Sequence, residues 1–546
     1  MAKLNLTKYL NKTQDSTVSA EEWNSVFSDI QTSVNDTIDI VNSTTIPDAG
    51  ISDVLVDGVS VVKNGIASIT MPKEETTEET PKFYINDVAI SPVNGVVTLA
   101  AGNTYTLRGT LKGVITIGTA VDVSEDTTII LDGVNIIDST SKNYGIMYAP
   151  TSKTLQVIIN KNTVNSIECS YKAANAEGQK AGLYSEKNMN IKGDGYLSIV
   201  NNGGHGIKAS ELRIMGNPAI DVTASHDAIH GNSALDIYGG DFSIYGANDA
   251  FGTGDTGTIK VFGGSFRAKN VVENIFDSKV AGYFFARVPI LSDFTTTTNL
   301  INNMTNCDPA TYFGTGSVTC YSDEDMTTDA TAITAVDGVY VLTTQYAKVT
   351  GYIEGTIQVD KKTSDLSLSN AYIKGSVKYT PDGKKLKITA EKETVNFIVA
   401  DAVDAVNSNK NVAIEVKSKA CLILNSNQGS GLVGYDITLN DSSGVLSIKD
   451  CGQYGIYGRT IYIGTQKDVD ETKVFDGALM ITGNKVCDIY AALRTEGTEG
   501  IISVLNSGML GTLTTESLEA EGYADLNFSP RISYESLNGI AVGVLE

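Results

Sequence analysis

The sequence predicts a mostly β chain made of two parallel β-helices, preceded by an α-helix and a β-hairpin. Three observations carry this reading. Between about residues 180 and 270 one short phrase keeps returning: Gly193, Gly216, Gly239 and Gly263 are separated by 23, 23 and 24 residues. Ile191, Ile214, Ile237 and Val261 keep that spacing, Leu197, Ile220, Phe242 and Phe266 run beside them, and Leu183, Ile207, Ile229 and Phe251 follow at 24, 22 and 22. Several columns at one period mean that each repeat is one rung stacked on the last. The second observation is local. Apolar residues alternate with polar ones, as in Leu212-Arg213-Ile214, and glycines punctuate the runs, so the units are short strands and turns rather than helices. The third is a duplication. Leu155 to Ile167 matches Leu386 to Ile398 without a gap, and Leu197 to Ile207 matches Leu422 to Leu432.

The first 45 residues are of another kind. Ser19 with Glu22 forms a capping box that should open a helix. Trp23, Phe27, Ile30, Val34 and Val41 then make a heptad-like apolar stripe with Thr37 in its gap. Such a stripe has to be covered. It packs on the next segment of its own chain, self-associates as a dimer or trimer, or docks on a larger assembly. Residues 51–71 alternate as strands, with hairpin turns at Asp57-Gly58 and Asn64-Gly65. Lys73 to Thr80 is acidic and polar with nothing to pack, which makes it a linker. The expected organisation is therefore an anchor over 1–72, the linker over 73–80, a β-helix over 81–290, a Thr- and Asn-rich connector over 291–344, and a second, degenerate β-helix over 345–546.

Charge narrows the function. With 64 acidic against 41 basic residues, the net charge is −23. Nucleic-acid binding normally needs a basic face, and anionic membranes would repel this chain. The start, Met1-Ala-Lys-Leu-Asn-Leu, has no signal-peptide core, and no run reaches membrane-span length, so synthesis in a cytoplasm is expected. Cysteines 169, 307, 320, 421, 451 and 487 show no metal spacing; Cys307 and Cys320 are placed to close a short loop if bonded.

Two columns offer chemistry. His205, Asp227 and Asp249 each precede a (Gly/Ala)-(Ile/Phe) pair, and Gly204, His226 and Asn248 stand one place earlier. Equivalent positions on neighbouring rungs lie about 4.8 Å apart, so the carboxylates repel unless a cation or a donor lies between them. Oxygen ligands with an Asn carbonyl suit calcium; the imidazoles suit a transition metal; a turn ladder that only caps backbone groups is the plainer alternative. In the second copy the equivalents are Ser430 and Tyr454, so structure alone does not demand the acids. The other column, Lys192, Met215, Tyr238 and Phe262, points outward by alternation, with Tyr245 on a neighbouring face. A row of exposed aromatics suits stacking on sugar rings or a protein contact; scattered surface residues are the plainer alternative.

Two resemblances follow from these residues. Val54-Leu-Val-Asp-Gly-Val-Ser-Val-Val62, with Gly65-Ile-Ala67 behind it, resembles the N-terminal attachment segment of tailed-phage fibre proteins, particularly head fibres. Tyr105-Thr-Leu-Arg-Gly-Thr-Leu111, Ile129-Ile-Leu-Asp-Gly-Val-Asn135, Gly204-His-Gly-Ile-Lys-Ala209, Ser225-His-Asp-Ala-Ile-His230 and Asn248-Asp-Ala-Phe251 resemble, in order, a family of bacterial carbohydrate-binding domains with a pectate-lyase-like, right-handed β-helix. That resemblance implies polysaccharide binding without known catalysis, helped by calcium on acidic turns; here Asp227, Asp249, His205 and Asn248 would hold it. Where the family carries Asp-Gly, this chain has Asp-Ala. The expectation is a virion fibre protein, on the head rather than the tail, that binds host or environmental glycans. It would be held to capsid or other virion proteins through Trp23, Phe27, Ile30 and Val34, with Met215, Tyr238, Tyr245 and Phe262 facing glycan or partner. The alternatives are a polysaccharide-degrading tailspike, with Lys208, Arg213 or His230 near Asp227 as base, and a purely structural decoration protein.

Overall fold

The computed structural model describes residues 82–521, apart from 170–180, 294–300, 465–476, 493–499, 505–511 and a few shorter internal segments, together with short strands at 55–67 and 523–542. Contacts divide the chain into Met1–Glu79 and Thr80–Glu546. In the first unit, Leu55–Val56 pairs antiparallel with Val59–Ser60, and Val62–Lys63 with Ile66–Ala67. The turn residues expected there, Asp57-Gly58 and Asn64-Gly65, lie outside the described residues. The helix expected from Ser19 onward, with Trp23, Phe27, Ile30 and Val34, lies outside the described residues. Among the described residues no helix is long and apolar enough to cross a membrane.

The second unit is a pair of parallel β-solenoids. The first runs from Phe83 to Asn306 as one curled 22-stranded sheet. Its register is the one that the columns predict. Ile191 pairs with Ile214, Ile214 with Ile237, and Ile237 with Val261. Leu197, Ile220, Phe242 and Phe266 form a second ladder, and Leu183, Ile207, Ile229 and Phe251 a third. All twelve side chains are buried, so each coil contributes one apolar residue to each wall of a single core. Toward the C-terminal coils the filling becomes aromatic: Phe242 stacks on Phe266 at 5.2 Å and Phe251 on Phe276 at 4.9 Å, and the two stacks meet edge to face. Gly193 shows why the turn column is glycine. Its φ is +99°, and a Cβ there would stand 2.2 Å from the Ile159 carbonyl oxygen of the previous coil. At the N-terminal end, Phe83–Ile85 and Val88–Ile90 fold back antiparallel on the first coil and blunt an edge that would otherwise template another strand.

The second solenoid has a 17-stranded sheet and a 9-stranded sheet. Leu386, Val412, Ile437 and Ile461 ladder down one wall, and Val377, Val406, Leu432, Ile456 and Ile489 down another. The duplication extends to polar detail. Buried Asn165 accepts hydrogen bonds from the Gly133 and Val134 amides at an irregularity in the sheet and donates to Thr163 Oγ1 and the Tyr196 carbonyl. Its counterpart Asn396 accepts from the Ala371 amide and donates to Thr394 Oγ1 and the Cys421 carbonyl. Within the stretch 291–344 the described residues form further elements. Ile301–Asn306 still pairs with Phe276–Phe284 of the first solenoid, Pro309–Phe313 forms a short helix, and Ser317–Tyr321 already pairs with Tyr346–Glu354 of the second. All six cysteines are free thiols, Cys307 and Cys320 included.

The two solenoids pack side against side. Met215, Tyr238 and Phe262 do point away from the first core, but into an apolar layer with Val395, Phe397, Cys421, Val445, Ala478 and Met480 of the second. Tyr238 stacks on Phe262 at 4.7 Å, Phe262 on Phe285 at 4.6 Å, and Phe285 lies 5.7 Å from Phe397. Polar bonds cross beside them: Lys419 to Glu211 at 2.8 Å, Lys449 to the Tyr238 carbonyl at 3.3 Å, and Thr514 to Asp194 at 2.8 Å. This corrects the expectation of an exposed aromatic row. Three of its members are buried by the chain's own second copy and cannot stack on a glycan; of the four, Tyr245 alone stays out, 44% exposed.

Candidate functional site

The turn column forms as the repeat spacing implies. His205, Asp227 and Asp249 each stand two places before the inward Ile207, Ile229 and Phe251, which pair in register, and backbone bonds tie the rungs: the Ala228 amide donates to the Asp227-equivalent carbonyl of Asp249, and Gly206 to that of Asp227. What the column does chemically differs between its two ends.

At one end His205, Asp227 and His230 converge, with one potential ligand atom from each lying within 4.8 Å of the others. His230 Nδ1 donates to Asp227 Oδ2 at 2.6 Å, since an ionised carboxylate can only accept. His205 Nδ1 faces the same oxygen at 3.8 Å and has no hydrogen-bond partner although it is buried. Its other nitrogen, Nε2, lies 3.4 Å from Lys208 Nζ. Burial, reinforced by the neighbouring His230, pushes the His205 imidazole down to about 3, so it is neutral at pH 7. Burial also lowers Lys208, against the pull of Asp227. For Asp227, burial favours the neutral acid, but the His230 hydrogen bond and the two imidazoles outweigh it and hold the carboxyl below its usual range.

At the other end Asp249 is not part of this group. Its Oδ1 accepts from the Asn274 amide and from Asn274 Nδ2, both at 2.9 Å. Burial, with the Asp227 and Asp277 charges adding to it, raises its carboxyl to about 6. Asn248 contributes backbone bonds to His226 and Glu273. Of the four residues expected to hold calcium, the fold thus gathers His205 and Asp227 and adds His230. The signal for His230 lay in the sequence: it follows Asp227 by three, as Lys208 follows His205, and Lys208 and His230 are register partners.

A second feature lies between the solenoids. A cleft of about 650 Å³ is lined by Gln156, Asn190, Lys192, Glu211 and Arg213 of the first and Lys419 of the second, among others. Gln156, Asn190 and Arg213 are successive register partners on the outward face of one wall. Asn190 Nδ2 donates to Gln156 Oε1 at 3.3 Å, Gln156 Nε2 to Asp126 at 2.9 Å, and Arg213 faces Asp236 at 3.6 Å. Burial opposes the charge on Arg213, but the Asp236 and Glu211 carboxylates and other neighbours more than offset it, so the guanidinium stays charged. A row of planar amides and a guanidinium offers paired donors and acceptors to a hydroxyl-rich ligand. The repeat columns alone did not mark this cleft, because one side of it, including Ser418, Lys419 and Ser443, belongs to a distant part of the chain.

No curated protein matches the chain. Among solved structures, a polysaccharide lyase-like protein from C. thermocellum, determined as a gadolinium derivative, is similar at 23% identity over 41% of this chain and 97% of that one, with a TM-score of 0.31. Residues 93–282, which hold the histidine cluster and the first solenoid's share of the cleft, match a family model described as carbohydrate-binding domain-containing protein.

Proposed function

We propose that this protein is a virion fibre of a tailed phage, a head fibre rather than a tail fibre, that holds host or environmental glycans without cleaving them. The observation that carries the binding part is the polar cleft, whose amide and guanidinium row lies within the stretch matched by the carbohydrate-binding family. Hydroxyl groups of a sugar pair well with such planar donors and acceptors, and the walls are preformed because each residue stands on a strand of the solenoid. The attachment part rests on the hairpin phrase between Val54 and Ala67, which resembles fibre attachment segments, and on the acidic linker behind it. In this reading residues 1–72 join a homo-oligomer to capsid or other virion proteins, and the solenoid pair projects from the particle surface.

Two experiments test the two parts separately. Asn190→Ala combined with Arg213→Ala should weaken retention on host surface polysaccharide by about tenfold or more, since each lost hydrogen bond is worth about 0.5–1.5 kcal/mol and those to a charged group more. The polysaccharide should elute at its original length. Undiminished retention would remove the cleft from the reading, and shortened oligosaccharides would favour a tailspike enzyme, for which the Lys208–His205–Asp227–His230 group supplies the candidate base. Deleting residues 1–72 should leave both solenoids folded, because each buries its own core, and should abolish incorporation into particles. Truncated protein at full occupancy on purified virions would place attachment in the body.

A further inference from the structure

We infer that His205, Asp227 and His230 form a binding site for a divalent transition-metal ion of the zinc class. The resemblance to carbohydrate-binding domains implies calcium, but the donor set in this chain does not suit it. Calcium takes six to eight oxygen ligands. Here two of the three convergent atoms are imidazole nitrogens, and the second carboxylate of the column, Asp249, is already held by two hydrogen bonds from Asn274. Two neutral imidazoles and a carboxylate are a donor set that zinc, cobalt and their neighbours accept.

The geometry supports the assignment. Asp227 Oδ2 lies 2.6 Å from His230 Nδ1 and 3.8 Å from His205 Nδ1. Tetrahedral ligands at about 2.0–2.1 Å from zinc stand about 3.3 Å apart. Side-chain rotations on the order of 1 Å therefore convert one arrangement into the other, without moving the strands. The second observation is His205 itself. It is 3% exposed, its Nδ1 is buried without a partner, and that atom is turned into the cluster. A buried polar atom left unpaired is destabilising, and a metal ion at this point would satisfy it. In the bound form each imidazole carries its proton on Nε2, which frees both Nδ1 lone pairs for the ion. Three protein ligands leave a fourth position for water or for an oxygen of a bound ligand.

One neighbour opposes the ion. Lys208 Nζ stands 3.4 Å from His205 Nε2, where the relocated proton must go, and its ammonium repels a dication. Lys208 is therefore a brake on the site, and removal of its charge should tighten binding. The test is titration of the full chain with Co2+ alone, read by visible absorption, and with Zn2+ in competition. One equivalent of Co2+ should produce d–d bands that Zn2+ abolishes and a large excess of Ca2+ does not. Asp227→Ala and His230→Ala should each weaken binding by about 100-fold or more, Lys208→Met should tighten it, and His226→Ala, whose ring is 5.5 Å from that of His205 but outside the cluster, should change it little. The wild-type spectrum needs no variant to fold. The absence of bands at millimolar Co2+, or bands that survive in both ligand variants, or equal displacement by Ca2+, would overturn the assignment.

Discussion

Replacing Ile214 by Ala is expected to destabilise the first solenoid by about 2–5 kcal/mol, the usual cost of truncating a buried Ile. Ile214 pairs with Ile191 on one side and Ile237 on the other, and all three are fully buried. The coils above and below cannot collapse into the space, because their backbones are held at strand spacing by the ladder hydrogen bonds. The loss should appear as a lower denaturant midpoint in equilibrium unfolding of the full chain. Tyr245→Ala, at an exposed position on the same solenoid, should stay within about 0.5 kcal/mol of the parent. If Ile214→Ala costs no more than Tyr245→Ala, the register of the coils is wrong, and with it the convergence of His205, Asp227 and His230.

The larger structural effect is expected from Phe262→Asp. The ring is sandwiched between Tyr238 and Phe285 with interplanar angles of 4° and 11°, inside the apolar layer between the solenoids. A carboxylate there would be buried in the apolar layer, where the Lys449 ammonium, already engaged by the Tyr238 carbonyl, offsets only part of its desolvation, a change of the kind that costs about 2–5 kcal/mol. Each solenoid has its own continuous core, so the cheapest relief is separation of the two rather than unfolding of either. The expected readout is a larger radius of gyration in solution scattering, with new protease cleavage between 306 and 317, at unchanged far-ultraviolet circular dichroism. Because the cleft is made from both solenoids, glycan retention should fall as well. An unchanged scattering profile and proteolysis pattern would mean that the side-by-side packing does not exist in solution.

How far the sequence alone reaches in this protein depends on the distance over which neighbours are set. In a solenoid the partner of a residue lies one period away, about 22 to 24 positions along the chain, so the columns through Ile191, Leu197 and Leu183 state the pairing register and the core outright. The same periodicity aligned His205 with Asp227 and Asp249, and equated Asn165 with Asn396, whose shared clamping of sheet irregularities is a local consequence of the repeat. What the repeat could not decide was which outward residues meet water. Met215, Tyr238 and Phe262 alternate outward as expected, but the surface that covers them is supplied by residues such as Phe397 and Met480, and contacts such as Lys419 to Glu211 and Lys449 to Tyr238 span 208 and 211 residues of sequence. No column records a packing between two solenoids, because side-against-side burial of this kind has no period. The same is true within the turn ladder. Spacing put two carboxylates near each other, but only the folded chain decided that Asn274 would engage Asp249, that the His230 imidazole would swing onto Asp227, and that His205 would be left buried with one nitrogen unsatisfied.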